Sequence, residues 1–116
     1  MATCVLVVDD DQDIREAVVE AITDAGYTVE AAANGVEALQ AMRANPPCVV
    51  LLDLMMPVMD GWEVVAHMDR DPALASVAVC VVSAHDKDPP RNNCVLRKPV
   101  SLQKLLETVE LHCGRP

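Results

Sequence analysis

Three short, uninterrupted apolar runs, Cys4–Val8, Cys48–Leu52 and Val77–Val82, constrain this chain more than any other feature. A strand with one wet face alternates apolar and polar residues. A continuous run of this length reads as a strand buried on both faces, which means a parallel sheet lying under helices. Cys94–Leu96 is a shorter candidate. Tyr27–Ala32 is a weaker one, flanked by Gly26 and Asn34-Gly35. Helical patterns fill the gaps. Ile14, Val18, Ala21, Ile22 and Ala25 form one stripe, with Asp11 as N-cap and Gly26 as the stop. Val36, Leu39 and Met42 form a second stripe, ended by Asn45-Pro46-Pro47. Trp62, Val65, Ala66 and Met68 form a third, capped by Asp60. Ser101 caps a last helix carrying Leu102, Leu105, Leu106 and Val109. Strands alternating with helices predict an α/β three-layer domain whose crossovers are right-handed.

One connection breaks the alternation. Between Ser83 and the Cys94 strand about ten residues remain, too few for an ordinary crossover with its helix. Pro89-Pro90 also removes two amide donors from that stretch. A loop, or at most one helical turn, is expected in place of the fourth helix.

Composition narrows the class. The 116 residues suffice for one domain with its own core. One Trp, one Tyr and no Phe leave little for base stacking, and a net charge of −9 disfavours a phosphate backbone as partner. No apolar run approaches a membrane span and no signal sequence opens the chain, so no membrane is involved and a cytoplasmic location is expected. Five cysteines without a C-x-x-C pair argue against a zinc site or a disulfide framework. They read as small buried hydrophobes in a reducing compartment. His85 and His112 have no second ligand at metal-like spacing, and His67 reads as a surface residue.

In open parallel sheets ligands bind beyond the carboxyl ends of the strands, so the residues ending each strand matter most. The first strand ends in Asp9-Asp10-Asp11, the third in Asp53, the fourth in Ser83-Ala84 and the fifth in Lys98-Pro99. Carboxylates gathered at one rim repel one another, and a hard divalent cation relieves that repulsion. A carboxylate beside such a cation can attack phosphorus, while the cation and a lysine neutralise the phosphoryl oxygens. A serine hydroxyl can donate to one of those oxygens. Taken singly, each of these residues has an ordinary structural reading. Asp11 is assigned to capping, and Met55, Met56 and Met59 to lining the loop and shielding the third helix.

Four segments in this order, Val5–Asp11, Leu52–Gly61, Val82–Ala84 and Lys98-Pro99, resemble the receiver domain of two-component response regulators. The resemblance covers nearly the whole chain and implies a single receiver domain over residues 1–116. The implied fold is a flavodoxin-like (βα)5 sandwich with strand order 2-1-3-4-5, here with the fourth helix shortened or missing. It implies Asp53 as phosphoacceptor and Mg2+ (or Mn2+) held by Asp10, Asp53 and the Met55 backbone carbonyl, with Asp9 acting through water. Ser83 and Lys98 would contact the phosphoryl group, and Pro99 would follow a cis peptide bond. The phosphoryl donor would be a histidine kinase or a histidine phosphotransfer protein. The role implied is a switch of protein contacts, not an enzyme in the ordinary sense, although transfer and hydrolysis would be self-catalysed.

The chain departs from the family at three places. Val95 stands where a switch aromatic is usual, so an aromatic flip cannot carry the signal. The short connection after Ser83 removes most of a helix from the usual output face, which moves partner recognition to other surfaces or to the loop at 86–93. Met55 and His85 stand at two positions that tune phosphoryl lifetime. The rival reading is a degenerate receiver-like module that works without phosphorylation. A Mg2+-dependent phosphatase would want an acid where Met55 stands, a flavodoxin-like carrier would want a phosphate loop where the aspartates stand, and a dinucleotide binder needs a G-x-G-x-x-G motif that is not present.

Overall fold

The computed structural model describes residues 4–84, 89–90 and 94–116. The elements run β1 (Cys4–Val8), α1 (Gln12–Asp24), β2 (Thr28–Ala32), α2 (Gly35–Ala44), β3 (Val49–Asp53), α3 (Gly61–Arg70), β4 (Ala78–Ser83), β5 (Val95–Arg97) and α4 (Leu102–Cys113). The five strands form one parallel sheet in the order β2-β1-β3-β4-β5. This is the architecture and strand order expected from the sequence. Among the described residues no helix separates β4 from β5, and no helix is long and apolar enough to cross a membrane. Most of the connection between those two strands, including His85 and the proposed partner loop, lies outside the described residues.

Each helix begins where a short polar side chain satisfies free amides. The Asp11 carboxylate accepts from the Asp13 and Ile14 amides, and Ser101 accepts from Lys104. Asp60 and Glu63 form a reciprocal capping box at the start of α3. Gly26, at φ 105°, takes the left-handed position after α1 that lets the chain turn into β2.

Alternate residues of the continuous strands feed two cores. Leu6, Val8, Val50, Leu52, Val79 and Val81 pack against α2 and α3. Val5, Val7, Val49, Leu51, Cys80 and Leu96 face α1 and α4. The core is aliphatic, as the scarcity of aromatics requires. Ile14 departs from its expected place in the buried stripe and is 41% exposed. It sits in the first turn of α1, beyond the end of the sheet, where it lines a cavity with Asp9 and Asp53.

The cysteine reading needs correction. Cys48 is bonded to Cys113 and Cys80 to Cys94. These partners are 65 and 14 residues apart in sequence, so local spacing carries no trace of them. The parallel register Val81↔Val95 sets Cys80 beside Cys94, with Cα atoms 4.7 Å apart. The packing of α4 brings Cys113 to the entrance of β3, with its Cα 5.4 Å from that of Cys48. Both distances lie within the range a disulfide spans. Cys80 is nevertheless wholly buried in the second core, as expected of it.

Gly61 sets how closely α3 approaches the end of β3. Its amide donates to the Leu54 carbonyl at 2.9 Å, and a Cβ at this position would stand 2.8 Å from the Leu54 Cα and 2.9 Å from the Asp53 carbonyl oxygen. Both obstacles are backbone atoms and cannot rotate away. Gly61→Ala is therefore expected to cost about 1–3 kcal/mol, read as a lower urea midpoint at unchanged m-value. An unaltered midpoint would show that the loop yields freely.

Candidate functional site

The carboxyl ends of β1, β3 and β5 converge because the register is in step. Val8 lies beside Leu52, so Asp9 and Asp53 leave adjacent strands at the same level. Ser83 pairs with Arg97, which puts Lys98 one residue beyond the end of β4. The Lys98 amide donates to the Ser83 carbonyl at 3.1 Å, and the Lys98–Pro99 peptide bond is cis.

The side chains meet at that rim. The Lys98 Nζ stands 3.4 Å from Asp9 Oδ2 and 3.5 Å from Asp53 Oδ2. Asp9, Asp10 and Asp53 each offer an oxygen within 4.8 Å of the others, an arrangement that could hold a metal ion. Asp9 and Asp53 are buried, whereas Asp10 is exposed. The Arg15 guanidinium donates to the Asp9 carbonyl at 2.8 Å, tying α1 to the end of β1. Sequence reasoning missed Arg15, because its role depends on the helix docking over that carbonyl and not on any motif. Asp9 Oδ1 also accepts from the Asp11 amide at 2.9 Å.

Asp53 is held from two sides. Its Oδ1 accepts from the Met55 amide at 3.3 Å and its Oδ2 faces Lys98. Burial raises its pKa above the ordinary carboxylate value; Asp9 and Asp10 push the same way, while Lys98 and the Met55 amide oppose them. A cavity of about 460 Å³ opens beside it, floored by Val7, Val18, Leu51 and Leu105 with Asp9, Asp53 and Lys98 among its lining. That apolar floor leaves one side of the carboxylates poorly solvated. Ser83 is buried at the end of β4.

The three methionines of the β3–α3 loop divide. Met56 and Met59 pack against the first core, while Met55 is 56% exposed. Val58 takes a left-handed backbone at φ 69° with its side chain in solvent. Val95, at the position of the usual aromatic, is half-buried against the first core.

A family model for the response regulator receiver domain matches residues 5–110. This chain belongs to that family. Among curated relatives it is 34% identical to the response regulator receiver protein CpdR of Brucella abortus, over 91% of this chain and 92% of that protein. It is 35% identical to the response regulator MprA of Mycobacterium ulcerans, over 91% of this chain but 48% of that protein. The chain thus spans about half the length of the MprA relatives. Among solved structures, the chemotaxis protein CheY4 of Vibrio cholerae superposes with a TM-score of 0.86 at 30% identity, over 97% of this chain and 99% of that one. A putative response regulator from Chloroflexus aurantiacus superposes at 0.88 with 27% identity, over 99% of this receiver and 100% of that chain. Receiver domains are the switches of two-component signalling and take phosphoryl groups from histidine kinases.

The raised pKa of Asp53 has a consequence for the stability of this receiver. The folded state holds the Asp53 proton more tightly than the unfolded chain, whose carboxyl titrates near 3.8. Stability from this group is complete below that value and is lost as pH rises through the folded one. Without divalent metal, Asp53→Asn is expected to raise Tm by roughly 3–6 °C near neutral pH. The gain should shrink toward about pH 4 as the wild-type carboxyl protonates. Calorimetry at both pH values checks this, and a gain independent of pH would contradict it.

Proposed function

We propose that residues 1–116 form one receiver unit in which Asp53 accepts a phosphoryl group from a phosphohistidine with the help of Mg2+ (Mn2+ serving as well). One observation carries this reading. A buried carboxylate at the end of the central strand has two more carboxylates within 4.8 Å and one ammonium at 3.5 Å. Cation and lysine together supply the positive charge that a dianionic phosphoryl group needs.

The donor set fits a hard cation that prefers oxygen, few protein ligands and retained waters. Asp10, Asp53 and the Met55 carbonyl would hold it, with Asp9 acting through a bound water. When bound, the ion supplies positive charge to the phosphoryl oxygens and favours the ionised form of Asp53. The remaining steps belong to the chain. The Asp53 carboxylate attacks phosphorus, a P–O bond forms, and the P–N bond to the donor imidazole breaks. Lys98, already poised between Asp9 and Asp53, neutralises one phosphoryl oxygen, and the Ser83 hydroxyl donates to another. Hydrolysis by water later returns Asp53 and releases inorganic phosphate.

Phosphorylation shifts the protein only through contacts that differ between its two conformations. Here those contacts are Ser83 and Lys98, at the ends of neighbouring strands β4 and β5. With Val95 in place of an aromatic, the signal travels by backbone shifts in the Ser83 loop or by another side chain. The domain acts as a switch, not as an enzyme with a separate substrate, and works in the cytoplasm with a histidine kinase or phosphotransfer protein as donor.

Incubation with acetyl phosphate and Mg2+, followed by intact mass measurement, tests the reading. One added phosphoryl group is expected, absent without Mg2+ and absent in Asp53→Asn. Lys98→Ala should slow its appearance about 100-fold. An Asp53→Asn protein that still gains the mass overturns the assignment. Failure of wild type both to gain it and to bind beryllofluoride favours the degenerate module.

A further inference from the structure

We propose that the Cys80–Cys94 pair is a thiol–disulfide exchange site whose state sets the rate at which Asp53 is phosphorylated. The inference rests on the phosphoacceptor reading above and adds to it a regulatory input.

The bond ties the shortest described strand to its neighbour. β5 has three residues and lies at the sheet edge, paired to β4 alone. Of its side chains only Leu96 is fully buried; Val95 is half-buried and Arg97 exposed. No helix is present between β4 and β5 among the described residues. Yet β5 must present Lys98 to two carboxylates at 3.4 and 3.5 Å. The disulfide joins the strands one residue below the Val81↔Val95 pairing. Ser83 follows Cys80 by three positions and Lys98 follows Cys94 by four. Both residues assigned to the phosphoryl group therefore hang from this cross-link. Ladder pairing to β4 and the packing of Val95 and Leu96 hold β5 in place, and the covalent bond adds a restraint on the strand that carries Lys98.

The second disulfide is a built-in contrast. Cys48–Cys113 joins the start of β3 to the end of α4, at the opposite end of the strands from Asp53. The Tyr27 hydroxyl also fastens that end, donating to the Gly114 carbonyl at 2.7 Å. This bond makes no link between β4 and β5.

Access favours one direction of attack. Cys80 is wholly buried, while Cys94 is half-buried at the end of the connection. A thiolate of a dithiol reductant attacks the Cys94 sulfur, the Sγ–Sγ bond breaks, and Cys80 leaves as a thiolate that takes up a proton. The second thiol of the reductant then displaces Cys94 as a thiol and closes its own disulfide. Two electrons pass from reductant to protein. A low-molecular-weight disulfide such as oxidised glutathione runs the exchange backwards, releasing two equivalents of glutathione. In a reducing compartment the pair is open and β5 is loosely held. Under oxidising conditions it closes and Lys98 is fixed.

The test uses the full chain as Cys4→Ser/Cys48→Ser/Cys113→Ser, so that Cys80 and Cys94 are its only thiols. It is prepared with dithiothreitol or with oxidised glutathione, and alkylation counts two free thiols or none. Two readouts follow, phosphorylation by acetyl phosphate with Mg2+ and hydrogen exchange at the amides of residues 95–98. The expected result is phosphorylation on the order of tenfold slower in the reduced protein, as positioning of Lys98 is lost. Faster amide exchange across β5 should accompany it. Cys80→Ala/Cys94→Ala should match the reduced protein whatever the redox reagent. Equal phosphorylation rates in the two states overturn the proposal, as does a pair that oxidised glutathione fails to close. If neither state is phosphorylated but exchange still differs, the phosphoacceptor reading fails, and with it the redox control of phosphorylation, while the clamp on β5 stands. Should the triple variant not fold, wild type poised with glutathione couples gives the same comparison, with each pair's state mapped by alkylation and peptide mass.

Discussion

The ammonium of Lys98 between Asp9 and Asp53 is the contact on which the working end of this molecule depends. Two buried carboxylates and a third exposed one crowd the rim of the sheet, and burial alone would drive Asp53 toward its neutral form. Lys98 offsets part of that cost, but it reaches the site only if β5 pairs correctly with β4 and the chain turns sharply after it. Every larger feature of the fold serves that convergence. The parallel register aligns the strand ends, and the two aliphatic cores hold the register.

Charge at the site is left unbalanced in a productive way. Lys98 stands against two of the three aspartates, and the excess of negative charge suits a divalent cation; the proposed phosphoryl transfer draws on that cation and the lysine together. Much of the surrounding structure is fixed by backbone contacts. Arg15 grips the Asp9 carbonyl, Met55 donates its amide to Asp53, and Gly61 lets α3 start against the end of β3. These contacts hold the carboxylates close together in spite of their repulsion, which makes the site receptive before any ligand arrives.

The short β4–β5 connection and the Cys80–Cys94 pair meet at one edge of the sheet. The edge strand β5 has three residues and pairs with β4. Packing of Leu96 into the second core helps to hold it. The cross-strand disulfide Cys80–Cys94 adds a covalent link between the two strands. Family membership says that the chain is a receiver; these contacts are how this chain holds its fifth strand.

The sequence by itself determined the elements and the ends of the strands. Continuous apolar runs, Asp11, Asp60 and Ser101 as caps, and Gly26 as a stop act through neighbours a few residues away, so they are legible without any knowledge of the fold. The aspartates at 9, 10 and 53 and Lys98 were visible for the same reason, as polar residues closing apolar runs. The tertiary structure alone decided which cysteines meet, which carboxylate is buried, and that Arg15 joins the site. Cys80 and Cys94 are neighbours only because two parallel strands align in one register, and Cys113 meets Cys48 only because the last helix packs back across the sheet. Asp53 owes its raised pKa to an apolar floor built from four separate elements. Such properties are set by distances between segments remote in sequence, and local pattern carries no record of those distances.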